Sequence, residues 1–486
     1  MPKTTTKNTT YVPSYVPFKY EKIEKSSTKD TFKDRFIEQF KSYVNTPGSS
    51  HHSYLSTIAP DQNLTRVEKK KAIRKKKVIQ VSCMRSHTLV LLQDGSVYSM
   101  GDDSHSELGL GSIMVINGRK RAKTPHKIDP NYFNYEKVIQ VSAGIYYSMV
   151  LTQSGSVYAW GDSHHGKNGL GNLKGYLKRP RKIDASHFSN DPVRYIKGAM
   201  DCCFFVTQTN RLYMSGLMTL ENEQRGSPFP MPVDPACHGY EFVSQICVQT
   251  RVLLLTSIGN VYELNKEMKK HVSHDGREFL TTKFLKIDSM HFNNEKVQNI
   301  SSMRDSYCAV TDSGKLYNWK CDVDNNDLVE SNNPDYIPGL INPQNFDNEK
   351  IVKVSQGQIM DESPHHILAL THSGKVFSFG HNNSGQLGRG WEFDNDDSAQ
   401  IEQRFLGNEP AVDILASSNN ESSFAVTTTG KLYVWGSNGT FQLGIDHGDK
   451  HYYPSQCGEH MFGSIVHKNN TIYNNQGFNK MEFEFQ

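Results

Sequence analysis

No run of apolar residues in this 486-residue chain approaches the roughly 18 that a membrane-crossing helix needs. The first twenty residues, MPKTTTKNTTYVPSYVPFKY, lack the apolar core of a secretion signal and contain no Arg, which argues against export and against a mitochondrial leader. A nuclear or cytoplasmic protein, not a secreted one, is expected. Eight cysteines occur without a C-x-x-C pair, and the adjacent Cys202 and Cys203 are poorly spaced for one metal site. Reduced thiols and no metal or other cofactor are the expectation.

The chain is also short of balance between its parts. Residues 1–77 hold 17 Lys and Arg against 7 Asp and Glu, a net of +10; since the whole chain stands at +3, the other 409 residues stand at −7. A basic arm precedes a mildly acidic body.

The body repeats. A hairpin-like unit recurs seven times, among them TLVLLQDGSVYSMG (88–101), SMVLTQSGSVYAWG (148–161), ILALTHSGKVFSFG (367–380) and FAVTTTGKLYVWG (424–436). Its aromatic falls at Tyr98, Tyr158, Tyr213, Tyr262, Tyr317, Phe377 and Tyr433, a period of about 56 residues. Apolar first strands lead to turns such as Asp94-Gly95, where glycine supplies the positive φ of a tight turn. Further strands precede most units at 77–84, 137–144, 296–303 and 350–357. Before four of the units an Ile is followed five residues later by Phe: Ile128/Phe133, Ile183/Phe188, Ile287/Phe292 and Ile341/Phe346. Four short β-segments per period describe one blade of a propeller, which must stack on neighbours to bury its faces. Residues 463–477 resemble an eighth half-unit and are expected to close the ring on the first blade.

V-x-x-V-S-x-G, then S-G-x-V-Y-x-W-G, then a G-Q-L-G tail at this period resembles the regulator of chromosome condensation repeat family. The clearest copies are 77–111, 137–171, 350–390 and 414–444; the third, fourth and fifth units have lost the tail. The resemblance implies an all-β, seven-bladed propeller over 78–477, after a basic extension (1–77) and before a tail (478–486). It also implies partners. Founding members are guanine-nucleotide exchange factors for Ran-type small GTPases and dock on chromatin through histones and DNA, using a wedge inserted in an early blade. Here the tails 101–111 and 161–171 are uninserted; 112–127 and 214–240 are the long stretches that stand as substitutes.

Chemical motifs are weighed against that repeat. Gly161-Asp-Ser-His-His-Gly-Lys-Asn168 nearly matches a phosphate-binding loop, yet Asn168 stands where the hydroxyl belongs, and sister copies carry Glu107, Gln386 or Gln442 in place of Lys167. The tail glycines Gly101, Gly109, Gly161, Gly169, Gly380, Gly388, Gly436 and Gly444 read as structural, and Lys167 as a surface residue. DVDNNDLVESNN (322–333) has Asp327 where a calcium loop needs Gly, so it reads as a solvated loop. The histidine pairs 51–52, 164–165 and 365–366 point apart, and no catalytic set is visible.

In the arm, Arg66, Lys69, Lys70, Lys71, Arg74, Lys75, Lys76 and Lys77 suit nuclear import, a phosphate-backbone contact or a solvated linker. Phe32, Phe36, Phe40 and Tyr43 lie at helical spacing and predict a helix over about 28–45. The functional expectation is a monomeric, non-enzymatic scaffold whose loops bind a macromolecular partner; the alternative is a chromatin-associated exchange factor for a Ran-type GTPase.

Overall fold

Seven antiparallel sheets succeed one another, each with its four main strands paired in chain order. This computed structural model describes residues 77–462, except 112–114, 117–118, 172, 174, 221–222, 249–251, 273–277, 304–305, 321–336, 358–364, 391–394, 419 and 460. The expected helix (28–45), the basic run up to Lys76, the loop 322–333 and the segment 463–477 all lie outside the described residues.

The first sheet comprises Val78–Met84, His87–Leu92, Val97–Asp102 and Arg119–Lys127, with a short additional strand at Val115–Ile116. Six four-stranded sheets follow, over 138–182, 193–232, 243–286, 297–340, 351–400 and 411–457. Each is one blade of a propeller. The first strands of neighbouring blades touch and are innermost. The second strands are buried along their whole length, as His87–Leu92 and Tyr147–Thr152 illustrate. Both faces of a blade are covered by its neighbours, which is why these strands read as continuous apolar runs and not as alternations.

Side chains of the V-I-Q-V-S segment fasten most blades to the next. The Gln80 amide oxygen accepts from Val141 N at 2.9 Å, and Gln140 accepts from Ile196 N at the same distance. Gln245 and Asn299 repeat the bond onto Ile300 and Val354. Two residues on, the hydroxyls of Ser82, Ser142, Ser301 and Ser355 accept from Ala143, Gly198, Gln356 and Ala416 N. The donors are main-chain N–H groups on buried strands, which would be costly to leave unpaired.

The Ile-x4-Phe pattern is a second joint. Asp129, Asp184, Asp234, Asp288 and Asn342 each cap a single 3-10 turn with a side-chain oxygen. The turn drops its last residue into the core, so that Phe133, Phe188, Phe292 and Phe346 meet Tyr158, Tyr213, Tyr317 and Phe377 edge-on, with centroids 5.4–5.6 Å apart. A glutamate three residues after the buried residue then holds the next hairpin turn: Glu136 with Thr152, Glu241 with Thr256, Glu295 with Thr311.

The ring closes between blades seven and one by other means. Leu415 stands where four other blades carry the bonding serine, and the Asp413 carboxylate accepts from its own neighbour Ile414 N. Val78 N donates to Gly430 O, Arg85 N to Ser418 O, and Thr88 Oγ1 to Gln442 O. Buried Cys457 and Phe462 repeat the five-residue spacing of Ile128 and Phe133, and Phe462 meets Tyr98 of the first blade edge-on at 5.5 Å. Among the described residues this closing aromatic is the last, and the strands of the first blade lie within 78–127.

Candidate interaction surface

The tail after each third strand is built around main-chain contacts. Gly101, Gly161, Gly380 and Gly436 have φ of +109°, +90°, +98° and +93°, and a Cβ on any of them would lie 2.1–2.5 Å from a carbonyl oxygen. Gly109, Gly169, Gly388 and Gly444 have φ of +68° to +80°, and each faces the next blade: Gly109 the Trp160 indole, Gly388 that of Trp435, Gly169 Ile183 and Phe205, Gly444 Met100. The carbonyl two residues before such a glycine is the anchor. Glu107 O accepts from Trp160 Nε1 and Ser148 Oγ, and Gln386 O from Trp435 Nε1 and Ser423 Oγ.

GDSHHGKN is one of these tails. His164–Gly166 forms a 3-10 turn, and the chain continues into the outer strand Tyr176–Lys182, not into a helix. Lys167 corrects the surface assignment: it is 5% exposed, its ammonium lies 2.7 Å from Asp162 Oδ2, and it sits over the Tyr146 ring. Burial alone would raise Asp162; the hydrogen bonds from Lys167 and His164 outweigh it and hold this carboxyl below its usual range. The sequence offered glycine spacing there but no sign of the partner, which is a residue five places upstream.

Exposed charge is concentrated on two neighbouring outer strands. Arg119–Lys127 (RKRAKTPHK) carries five Lys and Arg, Tyr176–Lys182 (YLKRPRK) carries four, and neither contains an acid. Lys120, Lys127, Lys178, Arg179, Arg181 and Lys182 are exposed; Arg121 and Lys123 are half-buried. The other outer strands differ: EQRGSPFPMP and EFLTTKFLK mix signs, NDDSAQ is acidic, and KHYYPSQC has a single Lys. Lys77, the one described member of the basic run, is exposed and reaches Thr428 O at 3.4 Å.

Just inside this stripe, the tail of the first blade gathers Asp102, His105 and Glu107, whose ligand atoms all lie within 4.8 Å of one another. Glu107 is fully buried, and burial pushes its carboxyl up to about 8, with Asp102 and Asp103 adding to the rise. His105 stacks on Tyr146 at 3.9 Å and meets Tyr176 edge-on. In the sequence the three residues occur as D-x-x-H-x-E within a tail whose glycines read as structural, and no adjacent histidine pair marks them.

Where the tail pattern is lost, the third and fourth blades grow. Leu212–Leu220 pairs with Glu223–Pro232 out to Leu220/Glu223, and Val261–Val272 pairs with Glu278–Lys286 out to Val272/Glu278. Two long hairpins therefore replace two tails.

Residues 78–107 and 138–167 match one pattern, and 94–151 another, of the family described as regulator of chromosome condensation (RCC1) repeat. Over 362 residues the chain is 26% identical to the ultraviolet-B receptor UVR8 of Arabidopsis thaliana, which covers 74% of this chain and 76% of the receptor. It is 25% identical over 306 residues to the human E3 ubiquitin-protein ligase HERC2, covering 61% of this chain and 6% of that ligase. Among solved structures, human WBSCR16 aligns with a TM-score of 0.58 at 18% identity, over 74% of this chain and 93% of that one. Yeast RCC1 (Prp20), in its complex with Kap60, aligns with a TM-score of 0.56 at 17% identity, over 80% and 86%. Residues 78–167 carry matches to the regulator of chromosome condensation (RCC1) repeat, and with its seven blades the chain resembles a divergent member of that repeat family.

Proposed function

We propose that this propeller is a non-enzymatic interaction scaffold that docks an acidic macromolecular surface on the outer strands of its first two blades. The observation that carries the reading is the pair of strands with nine cations and no acid, in a body that is otherwise net acidic. Exposed Lys and Arg at this density attract an acidic partner from a distance, and the attraction weakens as salt rises. The solved Prp20p structure is described with its binding properties to Gsp1p and histones, so nucleosome core particles and free DNA are the probes of choice. Replacing Lys178, Arg179, Arg181 and Lys182 by Glu should weaken nucleosome binding at least tenfold and flatten its salt dependence. Unchanged affinity would remove the stripe from the interface. The run Arg66, Lys69–Lys71, Arg74 and Lys75–Lys77 belongs to the same proposal, as an import signal or phosphate contact; its replacement by Ala should abolish nuclear accumulation or lower DNA affinity.

Exchange activity on a Ran-type GTPase is the second reading, and the extended hairpin of the third blade favours it, because the resemblance places a wedge in an early blade. Such a factor should accelerate nucleotide release, and shortening 217–226 to a tight turn should remove the acceleration. No acceleration for any GTPase of a panel leaves the scaffold alone.

A further inference from the structure

We propose that Asp102, His105 and Glu107 bind a single divalent transition metal of the zinc class. The sister tails of blades six and seven carry neutral amides at the positions of Asp103 and Glu107. Asn382 and Asn438 accept from Leu387 and Leu443 N with their amide oxygens, and Gln386 and Gln442 accept from Ser384 and Thr440 N. Their amide nitrogens then donate: Gln442 Nε2 to Ser437 O, Gln386 Nε2 to the Glu421 carboxylate. The first blade makes the same two acceptor bonds, Asp103 from Leu108 N and Glu107 from His105 N, but with carboxylates. Both neutral amides have become acids, and the donor they supplied is gone.

What remains is an arrangement of acceptors. Glu107 Oε1, Asp102 Oδ1 and His105 Nδ1 are all buried and have no hydrogen-bond partner. Glu107 is 0% exposed and Asp102 9%, so water does not replace the missing donor. The second blade meets the same geometry with Lys167, whose ammonium satisfies Asp162 at the position matching Asp102. Arg121 Nε approaches Asp102 Oδ1 at 3.4 Å without forming a hydrogen bond, and the nearby Arg85 and Lys167 lie over the Tyr146 ring.

Two carboxylate oxygens and one imidazole nitrogen form a set that zinc-class ions accept, with bonds of about 2.0–2.2 Å. His105 Nδ1 and Glu107 Oε1 are 3.9 Å apart, close to what one ion spans. The remaining closure falls to His105, whose side chain is 27% exposed and can turn against Tyr146.

The test uses the full chain with Zn2+ and Co2+ alone as probes. Glu107→Gln and His105→Ser install the residues found at positions 386 and 384, which this fold already accommodates; Asp102→Ser, after Ser437, is the third variant. The wild-type chain should take up one more equivalent of Zn2+ than each variant and show a visible Co2+ absorption band that each variant lacks. Zinc should raise the melting midpoint of the wild type and leave that of Glu107→Gln in place. Equal uptake by wild type and variants, or a wild-type midpoint unmoved by zinc, overturns the proposal.

Discussion

The Trp160 indole N–H donates to the main-chain carbonyl of Glu107 at 2.8 Å, so a side chain of the second blade holds the tail of the first. Trp435 makes the same bond to Gln386 O at 2.8 Å between blades six and seven. The glycine two residues on lies flat against each indole, which makes the joint a test of how far the tail glycines can change.

Gly388→Ala should be costly. Its Cβ would lie 2.8 Å from Trp435 Nε1, and φ is +70°. Overpacking of this kind costs about 1–3 kcal/mol, and the backbone strain adds about 1 kcal/mol. Trp435→Phe should cost less, since Gln386 O keeps its bond from Ser423. Melting midpoints measured side by side check the order.

Lys167→Met should destabilise more than Lys167→Gln. Methionine leaves Asp162 charged and buried without its ammonium, a loss of about 3 kcal/mol, whereas Gln is the residue that two sister tails carry. Denaturant midpoints should separate the two variants clearly.

Phe462→Ala removes a fully buried ring from the closing joint, for an expected loss of about 3–5 kcal/mol. Phe229→Ala, at a ring that is 43% exposed, should cost much less. Hydrogen exchange should show the extra opening of Phe462→Ala first in blades one and seven; uniform loosening around the ring would count against a closing role.

Acid should act through His87 and His366. Burial holds both imidazoles down to about 3. Their unfolded value is about 6.5, so the folded state keeps them neutral while the unfolded chain takes up protons. Their contribution is complete above pH 6.5 and is lost progressively as pH falls toward 3. Each adds at most about 1.4 kcal/mol per pH unit to the slope. In His366→Gln the slope of stability against pH between 3 and 6.5 should be shallower than in wild type.

Strand count, blade number and the Ile-x4-Phe joints were legible in the sequence because each repeats in the same chemical type. The joints that changed type were not. Val233/His238, Ile401/Leu406 and Cys457/Phe462 keep the spacing of five but lose the Ile or the Phe, and all six residues are buried. Phe462, the aromatic that meets the first blade, belongs to one of these altered joints, and the half-unit expected at 463–477 lies outside the described residues. Lys167 was read as exposed because lysine usually is, and nothing local announces a carboxylate folded back against it. The Asp102, His105 and Glu107 group was hidden for a related reason: each member occupies a position whose sister residues serve only to hold a loop.

Phe462 has a consequence for how the molecule is made. The ring that covers Tyr98 is 364 residues away along the chain. At about 5–20 residues per second, translation separates the two by tens of seconds. Until then the first blade emerges, pairs its strands and waits with that aromatic face bare. The earliest blade synthesised is the last one finished, and a nascent-chain chaperone would find its longest-lived apolar target there.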